Sequence, residues 1–221
     1  SVSVAAGLAA LCAIALHAAQ APRRGVIIGV AAFTVAMLIG FRIYAVQAQR
    51  LSLPPIWEAQ TDWSRPIPLS AEALAARGAG DEPRIADTGG RWAGQTFEQA
   101  QQAAFPLRPV RIAASPPVVT QATAEAARRN GWRVTRVEAD DASGRVEGRY
   151  TSRWYGLVSD LAVRITATAD GSLVDARSSS RTHAHDMGAN ARRIETLLAD
   201  LAFSLRTAEP GAVADRSAEG G

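Results

Sequence analysis

Lysine is absent from this chain of 221 residues: all 24 basic side chains are arginine. Acid is absent from residues 1–50, which hold Arg23, Arg24, Arg42 and Arg50 but none of the 21 Asp and Glu. The remaining residues carry 20 arginines against those 21 acids. The pI of 9.7 therefore belongs to the N-terminal stretch, and a basic nucleic-acid-binding domain is excluded because no net positive field is left to gather phosphates. Cysteine is nearly absent too. Cys12 stands alone, so no disulfide can staple the chain, which must rely on its core. No glycine-rich phosphate loop and no dinucleotide fingerprint follows any expected strand. The length excludes a large multidomain enzyme and suits a small domain with a membrane anchor.

What is present at the N-terminus is apolar. Val4–Ala21 runs 18 residues without a formal charge, and after Pro22-Arg23-Arg24-Gly25 come 16 more from Val26 to Phe41, extended past Arg42 to Val46. Two transmembrane helices are expected, over about 4–21 and 26–46, since a bilayer core needs roughly 20 apolar residues. The four-residue link permits only a tight turn and so an antiparallel hairpin. The Ala-rich first span suits packing against protein more than lipid. The paired arginines of the turn read as cytoplasmic, which places residues 47–221 across the membrane; Arg42 and Arg50 argue the other way but weigh less, one able to snorkel and the other inside a longer translocated domain. His17 is an intramembrane ionisable group, read as a neutral imidazole bonded to a neighbouring helix because no ionisable partner lies within either run. The chain opens on Ser1 without an initiator Met, which leaves room for upstream residues, another span or a signal among them.

Residues 51–115 form an irregular Pro/Gly-rich segment with short helices. Four prolines between Leu51 and Pro68 deny backbone donors and favour an extended path. Trp57 and Trp63 suit either the interfacial belt or the domain core. Thr96-Phe97-Glu98-Gln99 matches a capping box and opens a helix that must end before Pro106. Residues 116–206 are more regular. A helix over Val118–Asn130 ends at Gly131, and four strands follow at 132–139, 145–152, 160–169 and 172–181. Leu161, Val163, Ile165 and Ala167 alternate inward in the third, and Asp170-Gly171 makes the last hairpin turn. Ile194, Leu197, Leu198, Leu201 and Leu205 then share one face of a helix over 188–205, with Asp186 available as N-cap. Helix, four meandering strands, helix implies an α+β domain, an antiparallel sheet with helices on one face. Residues 207–221 are polar and small, and are expected to be disordered.

The stretch from Pro54 to Leu205 resembles the bacterial and plastid domain-of-unknown-function 1499 family. The likeness is carried by Pro54-Pro55-Ile56 with Thr61-Asp62-Trp63, by Phe105-Pro106, by Gly131-Trp132 and by Trp154-Tyr155-Gly156-Leu157. Most specific is Val174-Asp175-Ala176-Arg177-Ser178-Ser179-Ser180-Arg181, followed by Asp186, Gly188, Asn190, Arg193 and Ile194. Trp57 stands where the family usually has His, and His183 and His185 replace small residues. The resemblance implies several N-terminal spans in proteobacterial members and no established reaction.

Three chemistries compete for the polar residues. His183-Ala184-His185-Asp186 gathers ligand types that suit zinc, but no third or fourth ligand is evident, so His183 and His185 are weak metal candidates in a loop that caps the last helix. Ser178, Ser179 and Ser180 near His183 lack a nucleophile elbow and read as a polar sheet face. The third is the cluster of Asp160, Arg164, Arg177, Arg181, Asp186, Asn190 and Arg193. Arg177 and Arg181 share one strand face, as do Asp160 and Arg164, so the cluster is either an ion-pair network clamping the sheet to the last helix or an anion pocket for a lipid headgroup or acidic ligand. The expectation is a bacterial inner-membrane protein with a periplasmic, non-catalytic domain and no cofactor, an accessory or scaffold subunit that meets a protein complex and the lipid bilayer through its hairpin. The alternative is an envelope protein that binds an anionic ligand or lipid, or a hydrolase.

Overall fold

The computed structural model describes residues 23–77, 85, 90–153, 155–182 and 185–207. The expected first span with Cys12 and His17, the loop residue His183 and the tail beyond Thr207 lie outside these residues. The chain divides into two compact units, residues 1–53 and 54–221.

The described part of the first unit is one helix, α1 (Arg23–Ser52). It has no acid, and Ile28, Leu38, Phe41 and Tyr44 are exposed along it. Its Gly25–Ser52 stretch is long and apolar enough to cross a membrane, the one such helix among the described residues. The expected hairpin is thus seen as a single helix here, its other arm falling outside the described residues. The helix also continues six residues past Val46 to Ser52, because nothing between Gln47 and Leu51 breaks it.

The second unit is α+β. Its elements are β1 (Glu58–Gln60), α2 (Ala71–Arg77), α3 (Phe97–Ala104), β2 (Val110–Ile112), α4 (Pro116–Arg129), β3 (Arg133–Ala139), β4 (Ser143–Thr151), β5 (Val158–Thr168), β6 (Gly171–Ser180) and α5 (Ala189–Thr207). The sheet has six strands, two more than the meander expected from the sequence. They lie in the order β1-β6-β5-β4-β3, with β2 also on β6, and every pairing is antiparallel. The meander β3 to β6 is its body. The additional β1 and β2 are three residues each, too short to show an alternating pattern, and both lie on the outer edge of β6, one opposite Arg177–Ser179 and the other opposite Ser172–Val174.

Alternation decides what each face of the sheet holds. Val146, Leu161, Val163, Ile165, Val174 and Ala176 point to one side, where α4 and α5 bury Val119, Ala126, Ile194, Leu197 and Leu201 against them. The helices are tied to each other by Arg129 and Asn130, both bonded to Asp200. Gly171 makes the β5–β6 hairpin possible with φ of +138°. The opposite face is roofed by the chain between Thr61 and α2, where Ile67, Leu69 and Ala73 cover Ala162. A satellite core of Ile56, Trp92, Phe97 and Ala100 sits under α3, with Trp57 and Trp63 packed on it. Trp57 meets the Phe97 ring edge-on at 4.4 Å. Thr96 caps α3 through a reciprocal capping box with Gln99.

Candidate functional site

The roofed face of the sheet is ionic. Its inward side chains are Arg145 and Glu147 of β4, Asp160 and Arg164 of β5, Asp175, Arg177 and Ser179 of β6, and Glu58 and Gln60 of β1, followed by Arg181 just past β6. Arg164 lies opposite Asp175 and Arg149 opposite Asp160, and the other guanidiniums find a carboxylate on a neighbouring strand or close by in their own. Arg181 holds Asp160 by two bonds of 2.8 Å. Arg164 donates to Oδ2 of Asp175 at 3.0 and 3.2 Å. Arg177 reaches Glu58 at 2.8 Å and the Ile67 carbonyl at 2.6 Å. Arg145 bonds Glu147 and the Pro68 carbonyl, both at 2.6 Å. Arg149 pairs with Glu72 of α2. These bonds tie the sheet to the roof.

The acids lie deep. The Asp175 side chain has no exposed surface, and that of Glu58 has 4%. A buried carboxylate without partners would be expensive. Glu58 accepts from Arg177, Ser179 and Gln60, whereas Asp175 uses one oxygen for Arg164 and leaves Oδ1 without a hydrogen bond. At the rim Arg65 pairs with Asp62 at 3.0 Å. The Ser64 hydroxyl, with Arg65, holds the Asp62 carboxyl below its ordinary value.

The structure splits the seven residues singled out in the sequence into two groups. Asp160, Arg164, Arg177 and Arg181 belong to the roofed face. Asp186, Asn190 and Arg193 lie at the start of α5, which packs on the other side. Asp186 caps that helix, accepting from Gly188 N at 2.7 Å and Asn190 N at 2.9 Å; burial pushes its carboxyl above the ordinary value, against those bonds. Asn190 is fully buried and accepts from Ser178 Oγ at 2.7 Å while donating to Ser180 Oγ and the Trp57 carbonyl at 2.9 Å. Arg193 lies over the Tyr150 ring at 4.1 Å. The ion pairs thus join the sheet to the roof, and the last helix is held separately through Asn190.

The serines are equally occupied, Ser178 by Asn190 and Ser179 by Glu58. His185 accepts at Nδ1 from Met187 N. Among the described residues no three metal-ligating side chains come together.

Three cavities border these groups. The one beside Asp160, Arg181, Arg149 and Glu72 has about 20 Å³, water-sized. The one beside Arg177 has about 300 Å³, but Glu58 and Glu98 line it, so it repels an anion. A third, also about 300 Å³, lies between α5 and the Trp132–Tyr150 pair.

Sequence reasoning missed Glu58, Asp62, Glu147 and Asp175. Asp175 was within reach, two residues from Arg177 in the same alternation; Glu58 lies in a strand of three residues paired 121 residues away. Gln101 was also missed. Fully buried, it donates to the Gln60 carbonyl and accepts from Gln60 N and Trp63 Nε1 at 2.7 to 3.0 Å.

A family model described as protein of unknown function (DUF1499) matches residues 60–201, well over half of the chain. The chain belongs to this family. The DUF1499 match covers β1 from its last residue, the roof, the meander and most of α5, so the helix-side cavity and the ion-paired face, Glu58 apart, fall inside it. No curated protein matches this DUF1499 chain.

Proposed function

We propose that this DUF1499 protein is a membrane-anchored accessory or scaffold subunit of a bacterial inner-membrane complex, with a non-catalytic domain on the periplasmic side. The observation behind this reading is the exposed apolar helix α1. At 1.5 Å per residue its 28-residue Gly25–Ser52 stretch is about 42 Å long, more than the roughly 30 Å of a bilayer core. Gly29, Ala32, Ala36 and Gly40 lie along it, small residues that let a partner helix approach closely. Arg23 and Arg24 at its start favour a cytoplasmic N-terminal end, which sends the domain outward. The ionic face supports a structural role, since its arginines are spent on Asp160, Asp175 and Glu58.

Fusions at the C-terminus test the orientation: alkaline phosphatase should be active there and green fluorescent protein, exported by the general pathway, dark. The reverse pattern would overturn it. Gentle detergent extraction with mass spectrometry of co-purifying chains tests the subunit role, and a chain that purifies alone from its native membrane refutes it.

A further inference from the structure

The arginines at the start of α5 differ from those of the roofed face. Arg193 stacks on Tyr150, with Nη1 at 3.4 Å from Ser159 Oγ and 3.5 Å from Asn190 Oδ1, distances at the limit of a hydrogen bond. Arg192 donates to the Met187 carbonyl at 2.7 Å. Neither pairs with a carboxylate among the described residues. Both line the 300 Å³ cavity between α5 and the Trp132–Tyr150 pair, whose walls include Asn130 and Thr196 and contain no acid. Asp200, at the edge, is already engaged by Arg129 and by Asn130 Nδ2.

Trp132 supplies an independent observation. It lines this cavity, is 3% exposed, and its indole Nε1–H has no hydrogen-bond partner. A buried donor left unpaired is uncommon and costs free energy that a bound acceptor recovers. Tyr150 meets Trp132 edge-on at 5.6 Å and carries the Arg193 guanidinium over its ring at 4.1 Å.

We propose that this cavity binds a phosphate group. Two guanidiniums with the indole N–H and the Tyr150 hydroxyl offer donors from several directions, which suits the three terminal oxygens of a phosphate monoester better than the two coplanar ones of a carboxylate. The charge comes from the arginines, because Asp186 already occupies the N–H groups of Gly188 and Asn190 at the helix end. The volume suits the phosphate with a small organic body. This inference stands apart from the anchoring role, which involves a different unit of the chain.

The test uses the full chain with isotope-labelled indole nitrogens in phosphatidylcholine nanodiscs, the Trp132 resonance being assigned with Trp132→Phe. Inorganic phosphate is titrated in one arm. In the other, nanodiscs containing phosphatidic acid replace the zwitterionic ones. A saturable shift of the Trp132 resonance in the first arm identifies a soluble phosphate, and a shift in the second alone a lipid headgroup; either supports the site. Arg193→Gln and Arg192→Gln should each weaken the response about tenfold or more, with no fall in Tm. Arg193→Lys should lie between, and Arg136→Gln, at an exposed arginine of β3, should match the unmodified chain. A Trp132 resonance static in both arms, or one that still responds fully in the Arg192→Gln/Arg193→Gln double variant, overturns the proposal.

Discussion

Arg181 binds Asp160 with two parallel bonds of 2.8 Å, Nε to Oδ2 and Nη2 to Oδ1, in side chains only 18% and 8% exposed. Removing one member strands the other where water reaches it poorly. Asp160→Ala is expected to destabilise the domain by about 3 kcal/mol, and the Asp160→Leu/Arg181→Met double variant to recover much of that. The denaturant midpoint of the purified chain measures both. A loss as small as that from breaking the exposed Arg136–Glu138 pair would show that the roof does not keep water from the fork.

Asp186 and Asp62 respond to pH with opposite signs. Burial raises the folded-state value of Asp186 above its ordinary 3.8, so the native state binds the proton more tightly and stability falls as pH rises from there through the raised value. Asp186→Asn keeps a capping oxygen without that proton and should gain on the unmodified chain across this window. Asp62 is lowered from 3.8, chiefly by the Ser64 hydroxyl. Its contribution is present above that value and lost as pH falls through the lower folded one, so Asp62→Asn should converge with the unmodified chain in strong acid. Parallel stability profiles for all three proteins would contradict both assignments.

Gln101→Leu removes the partner of Gln60 N, Trp63 Nε1 and the Gln60 carbonyl together. Each group left unsatisfied costs about 1–3 kcal/mol when buried. The expected result is a loss of about 3 kcal/mol or more with faster hydrogen exchange at the Gln60 amide. Unchanged exchange there would mean that β1 is held by β6 alone.

Gly171→Ala should detach β2. The new Cβ would collide with the Ile112 carbonyl and approach the backbone of Ala113 and Ala114 at 2.9 Å, at a φ of +138° that side chains avoid. The cost is expected to exceed about 1 kcal/mol, read as a lower Tm and weaker protection of Val110 and Ile112. A Tm equal to that of the unmodified chain would show that the hairpin accommodates the methyl.

The antiparallel meander and its helices were legible because long strands repeat their pattern: Leu161, Val163 and Ile165 leave one consistent face. The same alternation set Asp160 beside Arg164 and Arg177 beside Arg181. It could not reveal that Glu58 would receive Arg177, since that depends on the register of a three-residue strand 119 residues earlier. Nor could it place Asp186, Asn190 and Arg193 on the far side of the sheet, because strand alternation ends with β6 and says nothing of where α5 packs. Trp132 and Tyr150 read as ordinary strand aromatics in the sequence, and only the fold sets them beside two arginines without acid partners.

The edges of the sheet bear on how another chain could join it. Along β6 the outer edge is occupied by β2, then by Thr61, whose N and Oγ1 serve Ala176, then by β1. The outer side of β1 is met in turn by the side-chain amide of Gln101, which acts as a one-residue strand. At the far edge β3 carries a bulge between Val134 and Arg136 and the exposed charges of Arg133, Arg136 and Glu138. Strand addition is thereby blocked along β6 and disfavoured at β3. A sheet shared between copies is disfavoured by the same features, which leaves helices, loops and side chains as the surfaces for a partner to recognise.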